Sequence, residues 1–355
     1  MIVSLVFIFI ICITLSFFEE RIGEREKTFL YILIGIALIL TTGLREVGST
    51  PDTEAYEDMY TGKYSEILED VTEPSFTLIS SFLNSFSFDI TALFLTYALI
   101  SVTLHLTVLR KLSTELAFTI LAIYISYYFM MHEMVQIRCG VASGFFLWAI
   151  YFYTEKRKMP ALACILLGTF FHYSAIAGLV IFLFRENIPR WQKMVLYAII
   201  PIGLIVYFSN LDISYLVPDV LGGSKIEHYR NLKEIGEENE QAGWGLELNP
   251  FIWLNFILYS ASIYYSDYLY KQCKYVPIAI KVQAIGFCFL FFTKGFSKII
   301  ANRMNDYFSI ASIVLWTASI YAFSPRITSR IISNTISTIR FVSSILAYAL
   351  SLLWM

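Results

Sequence analysis

The chain of 355 residues carries a formal charge of −2 and is 57% hydrophobic, 17% aromatic and only 15% charged. Soluble domains carry about 25% charged residues, so composition excludes an ordinary soluble core and points to a multi-pass membrane protein. The near-neutral charge excludes nucleic acid as a partner, and the five cysteines, without a CxxC pair, supply neither a disulfide framework nor a zinc site.

The first apolar run, residues 2–18, lacks a basic leader and a small-residue cleavage site, and reads as a first span. Further runs cover 28–44, 90–109, 116–130, 139–153, 194–208, 251–270, 278–293, 307–323 and 341–354. About 20 helical residues cross the hydrocarbon, so the shorter runs must recruit their flanks. Two stretches allow two readings. Residues 74–88 are apolar but Ser-rich and suit a helix along the interface. Residues 161–184 fit one long span, or a re-entrant hairpin whose halves meet near Phe171-His172. The expected fold is an all-α polytopic integral membrane protein of about 10–12 transmembrane helices. It should form a single transmembrane domain over residues 1–355.

Orientation follows from Lys and Arg in the short loops. With 74–88 outside the bilayer and 161–184 a hairpin, one side collects most of the basic residues. Among them are Arg21, Arg25, Lys27, Arg110, Lys111 and Lys156-Arg157-Lys158. That side is expected to be cytoplasmic. The opposite side then carries two larger outward-facing loops, 45–89 and 210–249, which hold most of the acidic residues. In the second loop the charged run 225–241 reads as a solvated surface helix.

The same topology gathers Arg45, Asp52, Tyr56, Glu73, His132, Gln136, Arg138, His172 and Arg303 on the outer face. Ionisable groups near membrane depth need partners or water, and by default mark a site. Arginine forks phosphate oxygens and stays charged, so three of them suit a polyanion. Tyr56, Tyr173, Trp244 and Tyr307 offer rings for sugar faces. The set suits a lipid-linked sugar pyrophosphate: cations for the diphosphate, rings for the sugar, a groove for the tail.

Each residue also has a plainer role. Arg45 ends a span at headgroup level. Glu133 is within reach to pair with Arg138, and Asp306 with Arg303. Asp52 suits the cap of a helix running to Tyr60. His172 is flanked by apolar residues, as a core histidine would be, and His105 reads as structural within its span. The chain has no HExxH, GxSxG, P-loop, GxGxxG or DxD motif. Absence of DxD turns the reading from a cytosolic sugar-nucleotide donor toward a lipid-linked one.

Four short motifs occur in order. Leu44-Arg45…Gly48…Asp52-Thr53…Tyr56, followed by Glu73-Pro74-Ser75-Phe76, resembles the outer-loop signature of the EpsG/Wzy-type bacterial polysaccharide polymerases. Gln136-Ile137-Arg138…Ala142 is similar to their second arginine motif. Phe171-His172-Tyr173-Ser174-Ala175 resembles their histidine motif, and Arg303…Tyr307-Phe308 their late arginine motif. Together these cover about Arg45 to Phe308. Two departures stand out: Ser49-Thr50-Pro51 replaces a tighter Gly-Thr-Asp turn, and Cys139 follows Arg138 where glutamine is frequent.

The resemblance implies an enzyme in the bacterial cytoplasmic (inner) membrane, with its active site facing outward. It would join undecaprenyl-pyrophosphate-linked oligosaccharide repeats into O-antigen, capsule or exopolysaccharide, by transfer of the growing chain to a hydroxyl of the next repeat. In these terms His172 is the first choice for general base. Asp52 or Glu73 is the alternative base, or orients the acceptor. Arg45, Arg138 and Arg303 hold diphosphates, and Gln136, Tyr56 and Tyr307 complete the substrate-binding set. No metal or other cofactor is expected, because arginine meets the leaving-group charge. The bilayer and a separate chain-length regulator are the other implied partners. The competing readings are a flippase for the same lipid-linked oligosaccharide and a membrane acyltransferase acting on surface glycan. A flippase should spread its cations through a two-sided cavity, and an acyltransferase should receive its donor through larger cytoplasmic loops.

Overall fold

A computed structural model describes residues 1–50, 52–63, 72–113, 115–209, 248–295, 297–322 and 325–353. Every regular element among them is helical, as the bilayer demands of segments that must satisfy their own backbone polar groups. The chain divides into two compact units, Met1–Phe182 with Trp316–Met355, and Leu183–Leu315.

The first unit opens with α1 (Ile2–Phe18) and α2 (Glu24–Gly43), followed later by α5 (Ile90–Leu112). Helices α2 and α5 pack antiparallel. Arg110 pairs with Glu24 at 2.6 Å at one end, and Gly43 meets the backbone of Leu95 at the other, where a Cβ would lie 2.9 Å from its Cα. Glu24 and Glu26 in the first turn of α2, and Arg110 and Lys111 in the last turn of α5, suit the helix dipoles. Asp89 caps α5 by accepting from Thr91 N at 3.1 Å.

Between these two helices run the short α3 (Thr53–Thr61) and α4 (Pro74–Ser85). Gly62 ends α3 in the left-handed region, φ 77°, which glycine adopts without steric cost. At 12 residues α4 spans about 18 Å, too short to cross. It buries Phe76, Ser80 and Leu83 and exposes Leu78 and Phe82, the two-faced pattern of an interfacial helix. Asn84 Nδ2 donates to Tyr60 O at 3.2 Å, and Tyr60 Oη to Phe88 O at 2.8 Å, which ties α4 to α3.

Helix α6 (Ala117–Ser126) breaks at Tyr127-Tyr128 and continues as a π-helix (Phe129–Val135), with a bend of 62°. The stretch between the apolar runs 116–130 and 139–153 begins within this π-helical segment. Gln136 then leads into α7 (Ile137–Thr154). Helix α8 (Lys158–Phe171) runs back along α7, bringing Phe171 within 6.0 Å of Phe145. At His172 the backbone is extended, φ −153° and ψ 117°, and a 3-10 helix (Tyr173–Leu183) follows. Phe182 meets Tyr153 near the end of α7, ring centroids 5.4 Å apart. The second half therefore returns along the first, and 161–184 forms the hairpin with His172 at its tip.

After the second unit the chain re-enters the first through α15 (Arg326–Leu353), so the apolar stretch from Phe341 to Leu353 belongs to a longer helix. Phe341 stacks on Phe9 of α1 at 4.1 Å. Arg330 reaches Glu19 at 3.5 Å and Glu20 at 2.9 Å. Glu19 also accepts from Phe118 N and Thr119 Oγ1, at 2.9 and 2.6 Å, at the start of α6. Burial pushes the Glu19 carboxyl up, opposed by the Thr119 bond and by Arg330.

The second unit comprises α9 (Arg190–Ser209), α10 (Pro250–Tyr264), α11 (Ser266–Gln272), α12 (Val276–Thr293) and α13 (Lys298–Ser309), and most of α14 (Ser312–Ala318). Phe256, Tyr259, Phe287 and Phe291 form its ring-packed centre. Buried Lys281 donates to the carbonyls of Arg185 and Asn187. The expected surface helix 225–241 and Trp244 lie outside the described residues.

Helices α2, α5, α9 and α12 are each long and apolar enough to cross a membrane, and α6 with the π-helix makes a fifth, bent span. Shorter apolar helices, α1, α8 and α10 among them, add to these. The protein is an all-α, multi-pass membrane protein.

Candidate functional site

The site is built around Glu73, which stands at the N-cap of α4 immediately before Pro74. A residue before proline is held extended, and Glu73 has φ −67° and ψ 143°. Its carboxylate turns inward and is only 1% exposed. A carboxylate this buried is stable only when both oxygens are met. One is: Oε1 lies 2.8 Å from His172 Nδ1. The other pairs with Arg138 Nη1.

Three separate elements supply these groups: the start of α4, the second residue of α7, and the tip of the α8 hairpin. The Arg138 guanidinium lies 5.6 Å from the Tyr56 ring and 5.7 Å from the Phe76 ring. Tyr56 and Phe76 stack at 6.1 Å, Phe76 meets Tyr97 at 6.4 Å, and Tyr97 meets Phe171 edge-on at 6.1 Å. The Arg138–Glu73–His172 chain thus sits against a wall of rings. The His172 and Arg138 side chains each remain 21% exposed, so the two outer members are accessible while the carboxylate between them is not.

The other expected residues divide. Tyr56 belongs to the wall. Asp52 stands at the N-cap of α3, but its side chain makes no cap bond; its carbonyl accepts from Tyr56 N at 3.0 Å. Thr53 Oγ1 instead takes the Gly48 N–H at 2.9 Å, with Gly48 at φ 80°. Gln136 joins the π-helix to α7, and its N–H donates to Met131 O at 3.0 Å. His132 is fully buried within the π-helix, its ring parallel to Tyr128 at 6.2 Å. Arg45 lies just past α2, donates Nη1 to Thr42 O and Glu133 O at 2.9 and 3.2 Å, and covers the Phe94 ring at 4.1 Å. Arg303 and Tyr307 belong to α13 of the second unit, where Arg303 is exposed and Tyr307 buried.

One expectation is corrected. Glu133 does not pair with Arg138. It accepts from Tyr124 Oη at 2.6 Å and faces His105 Nδ1 at 3.0 Å, and His105 Nε2 in turn meets Ser143 Oγ at 3.2 Å. The bend at the π-helix turns Glu133 toward α5 and α6, whereas Arg138, the second residue of α7, faces α3 and α4. His105, read as structural from its place within a span, lies with Glu133, Tyr124 and Ser143 in a fully buried hydrogen-bonded cluster.

Sequence reading missed Tyr97, and missed Glu73 as the bridge between arginine and histidine. It also missed the His105–Glu133 pair. A usable signal existed there, since two ionisable residues in neighbouring apolar runs each need a partner. Among the described residues, no three His, Cys, Asp or Glu side chains gather as metal ligands.

The chain matches the model of the EpsG family over residues 27–354. No curated protein and no solved structure matches it.

Proposed function

The chain belongs to the EpsG family, a Wzy-type polysaccharide polymerase-like family, and from that premise we propose that it polymerises lipid-linked oligosaccharide repeats on the outer face of the bacterial cytoplasmic membrane. The growing chain leaves its undecaprenyl diphosphate and passes to a hydroxyl of the next lipid-linked repeat. The observation that carries this reading is Glu73 holding His172 and Arg138 together in one ring-walled site. It brings a base and a cation side by side, as glycosyl transfer from a diphosphate requires.

In this reading Glu73 accepts the Nδ1 proton of His172, so Nε2 carries the lone pair. Nε2 takes the proton of the acceptor hydroxyl as its oxygen forms a bond to the anomeric carbon. The bond from that carbon to the diphosphate oxygen breaks, and the leaving group keeps the electron pair. Arg45 and Arg138 supply the positive charge that meets the diphosphates of donor and acceptor. Preorganised charge at a leaving group is usually the largest catalytic contribution, and a general base adds about 10²–10⁴-fold. Tyr56 offers a ring face to a sugar, with Gln136 as a further substrate contact and Asp52 as a group to orient the acceptor.

The test is the size profile of surface glycan in cells lacking the gene, beside a complemented control. A single repeat in place of a long ladder is the expected result. Loss of all surface glycan with lipid-linked repeats trapped inside would instead indicate a flippase. A full ladder lacking only an acyl group would indicate an acyltransferase.

A further inference from the structure

The second unit carries an unbalanced charge at one end. The start of α9, the end of α10, α11 and the first turns of α12 meet there. Lys193 of α9 pairs with Asp267 of α11 at 2.8 Å, and Tyr259 Oη of α10 donates to Leu196 O of α9 at 3.0 Å. Lys281 of α12 holds the carbonyls of Arg185 and Asn187, just before α9. Besides buried Lys281, this rim carries five cations, Arg185, Arg190, Lys193, Lys271 and Lys274, against two carboxylates, Glu186 and Asp267. Arg185, Arg190, Lys271 and Lys274 are exposed, and Asp267 is already engaged by Lys193.

The rings of the rim mark its depth in the membrane. Trp191, Tyr264, Tyr265, Tyr268 and Tyr270 are all exposed. Farther along, the exposed residues become plainly apolar: Ile202, Ile205 and Phe208 on α9, and Ile257 on α10. Tyr and Trp gather at headgroup level, whereas apolar side chains face the hydrocarbon. Helix α11 buries Ser266 and Leu269 and turns Tyr268, Tyr270 and Lys271 outward. The exposed cations therefore stand at the level of lipid phosphates. The loop between α1 and α2 shows the contrast. There Arg21, Arg25 and Lys27 stand among Glu19, Glu20, Glu24 and Glu26, so the chain supplies its own counter-charge.

We propose that this rim of the second unit is a binding surface for anionic phospholipid headgroups. Arg190, Lys271 and Lys274 meet phosphate oxygens, and Trp191 and Tyr268 sit between headgroups and acyl chains. Guanidinium and ammonium groups only donate, and phosphate oxygens only accept. A zwitterionic headgroup brings an ammonium of its own, so a cationic rim selects lipids of net negative charge. The surface lies wholly in the second unit, apart from the Arg138–Glu73–His172 chain, and does not depend on the polymerase reading.

The test mixes the full chain in detergent with equal amounts of dioleoyl phosphatidylglycerol and dioleoyl phosphatidylcholine, and counts the retained lipids by native mass spectrometry. Phosphatidylglycerol should be retained at least tenfold over phosphatidylcholine. Arg190→Gln, Lys271→Gln and Lys274→Gln together should bring the ratio within about twofold. Arg21→Gln with Arg25→Gln, whose cations stand among carboxylates, should leave it unchanged. Equal retention of the two lipids by the wild-type chain would overturn the proposal, as would an undiminished preference in the triple variant. An equal loss in the Arg21, Arg25 variant would also overturn it, because net charge alone would then explain the selection. A measurement on the wild-type chain needs no variant to fold. Acetylation of Lys271 and Lys274, relative to Lys111, should be slower in phosphatidylglycerol nanodiscs than in phosphatidylcholine ones; equal relative rates would count against the surface.

Discussion

At the scale of the residue, Glu73 is the most consequential side chain, because one buried carboxylate restrains a cation and an imidazole at once. Glu73→Gln keeps the shape but leaves a neutral amide between Arg138 and His172. Polymer formation in membranes is expected to fall about 10²-fold or more, in line with loss of a positioned base. His172→Ala should cost a similar amount, and the double variant little more than the worse single one, because groups acting as a unit are not additive. A double variant whose loss is the product of the two singles would separate their roles. The His105–Glu133 pair makes a different prediction. Both side chains are fully buried, and removing the Glu133 carboxylate leaves the buried polar groups of Tyr124 and His105 short of a partner, at about 1–3 kcal/mol each. Glu133→Ala should therefore lower the detergent unfolding temperature sharply, with much less chain surviving purification. An unfolding temperature equal to wild type would contradict a structural role for the pair.

At the scale of the element, α7 is decisive, and its glycines explain why it packs so tightly. Gly140 and Gly144 are spaced as GxxxG, a pattern that lets helices approach closely in membranes. A Cβ on Gly140 would lie 2.5 Å from His132 O and 3.2 Å from Glu133 Oε2. A Cβ on Gly144 would lie 2.9 Å from Leu104 Cβ and 3.3 Å from the His105 ring. Gly140→Ala must push the π-helix away and tilt the first turn of α7, which carries Arg138. We expect a loss of about 1–3 kcal/mol from such overpacking, and a loss of polymer with it. Gly168→Ala on α8 is the control, since its Cβ would meet only ordinary contacts of 3.4–3.5 Å. Thermal unfolding of both variants tests this; equal behaviour would mean that the α7 contact yields without cost.

At the scale of the whole molecule, the site occupies one end of the helices in the first unit, and the Glu24–Arg110 pair and the Lys156–Lys158 turn lie toward the other. The proposed orientation, drawn from the excess of loop cations, puts that second end in the cytoplasm. Lys63→Cys should accordingly react with a membrane-impermeant maleimide in intact cells, and Lys156→Cys only after permeabilisation. The reverse pattern would turn the molecule over and put the site on the cytoplasmic side.

The sequence by itself determined the class of protein, because apolar runs of membrane length admit one secondary structure, and their cations bias orientation without any tertiary contact. It also singled out His172, Arg138, Tyr56 and Glu73, since each is costly or unusual where it stands. Pairing was not legible. Glu133 is five residues from Arg138 and Glu73 is 65 residues away, so proximity along the chain favoured the wrong carboxylate. The bend of the π-helix and the proline-fixed start of α4 reversed that choice. Likewise, two readings of 161–184 were equally apolar, and only the Phe182–Tyr153 contact made it a hairpin. Burial and spacing are properties of a stretch of chain, whereas partners are selected by the directions in which folded segments aim their side chains. Those directions were decided by the tertiary structure.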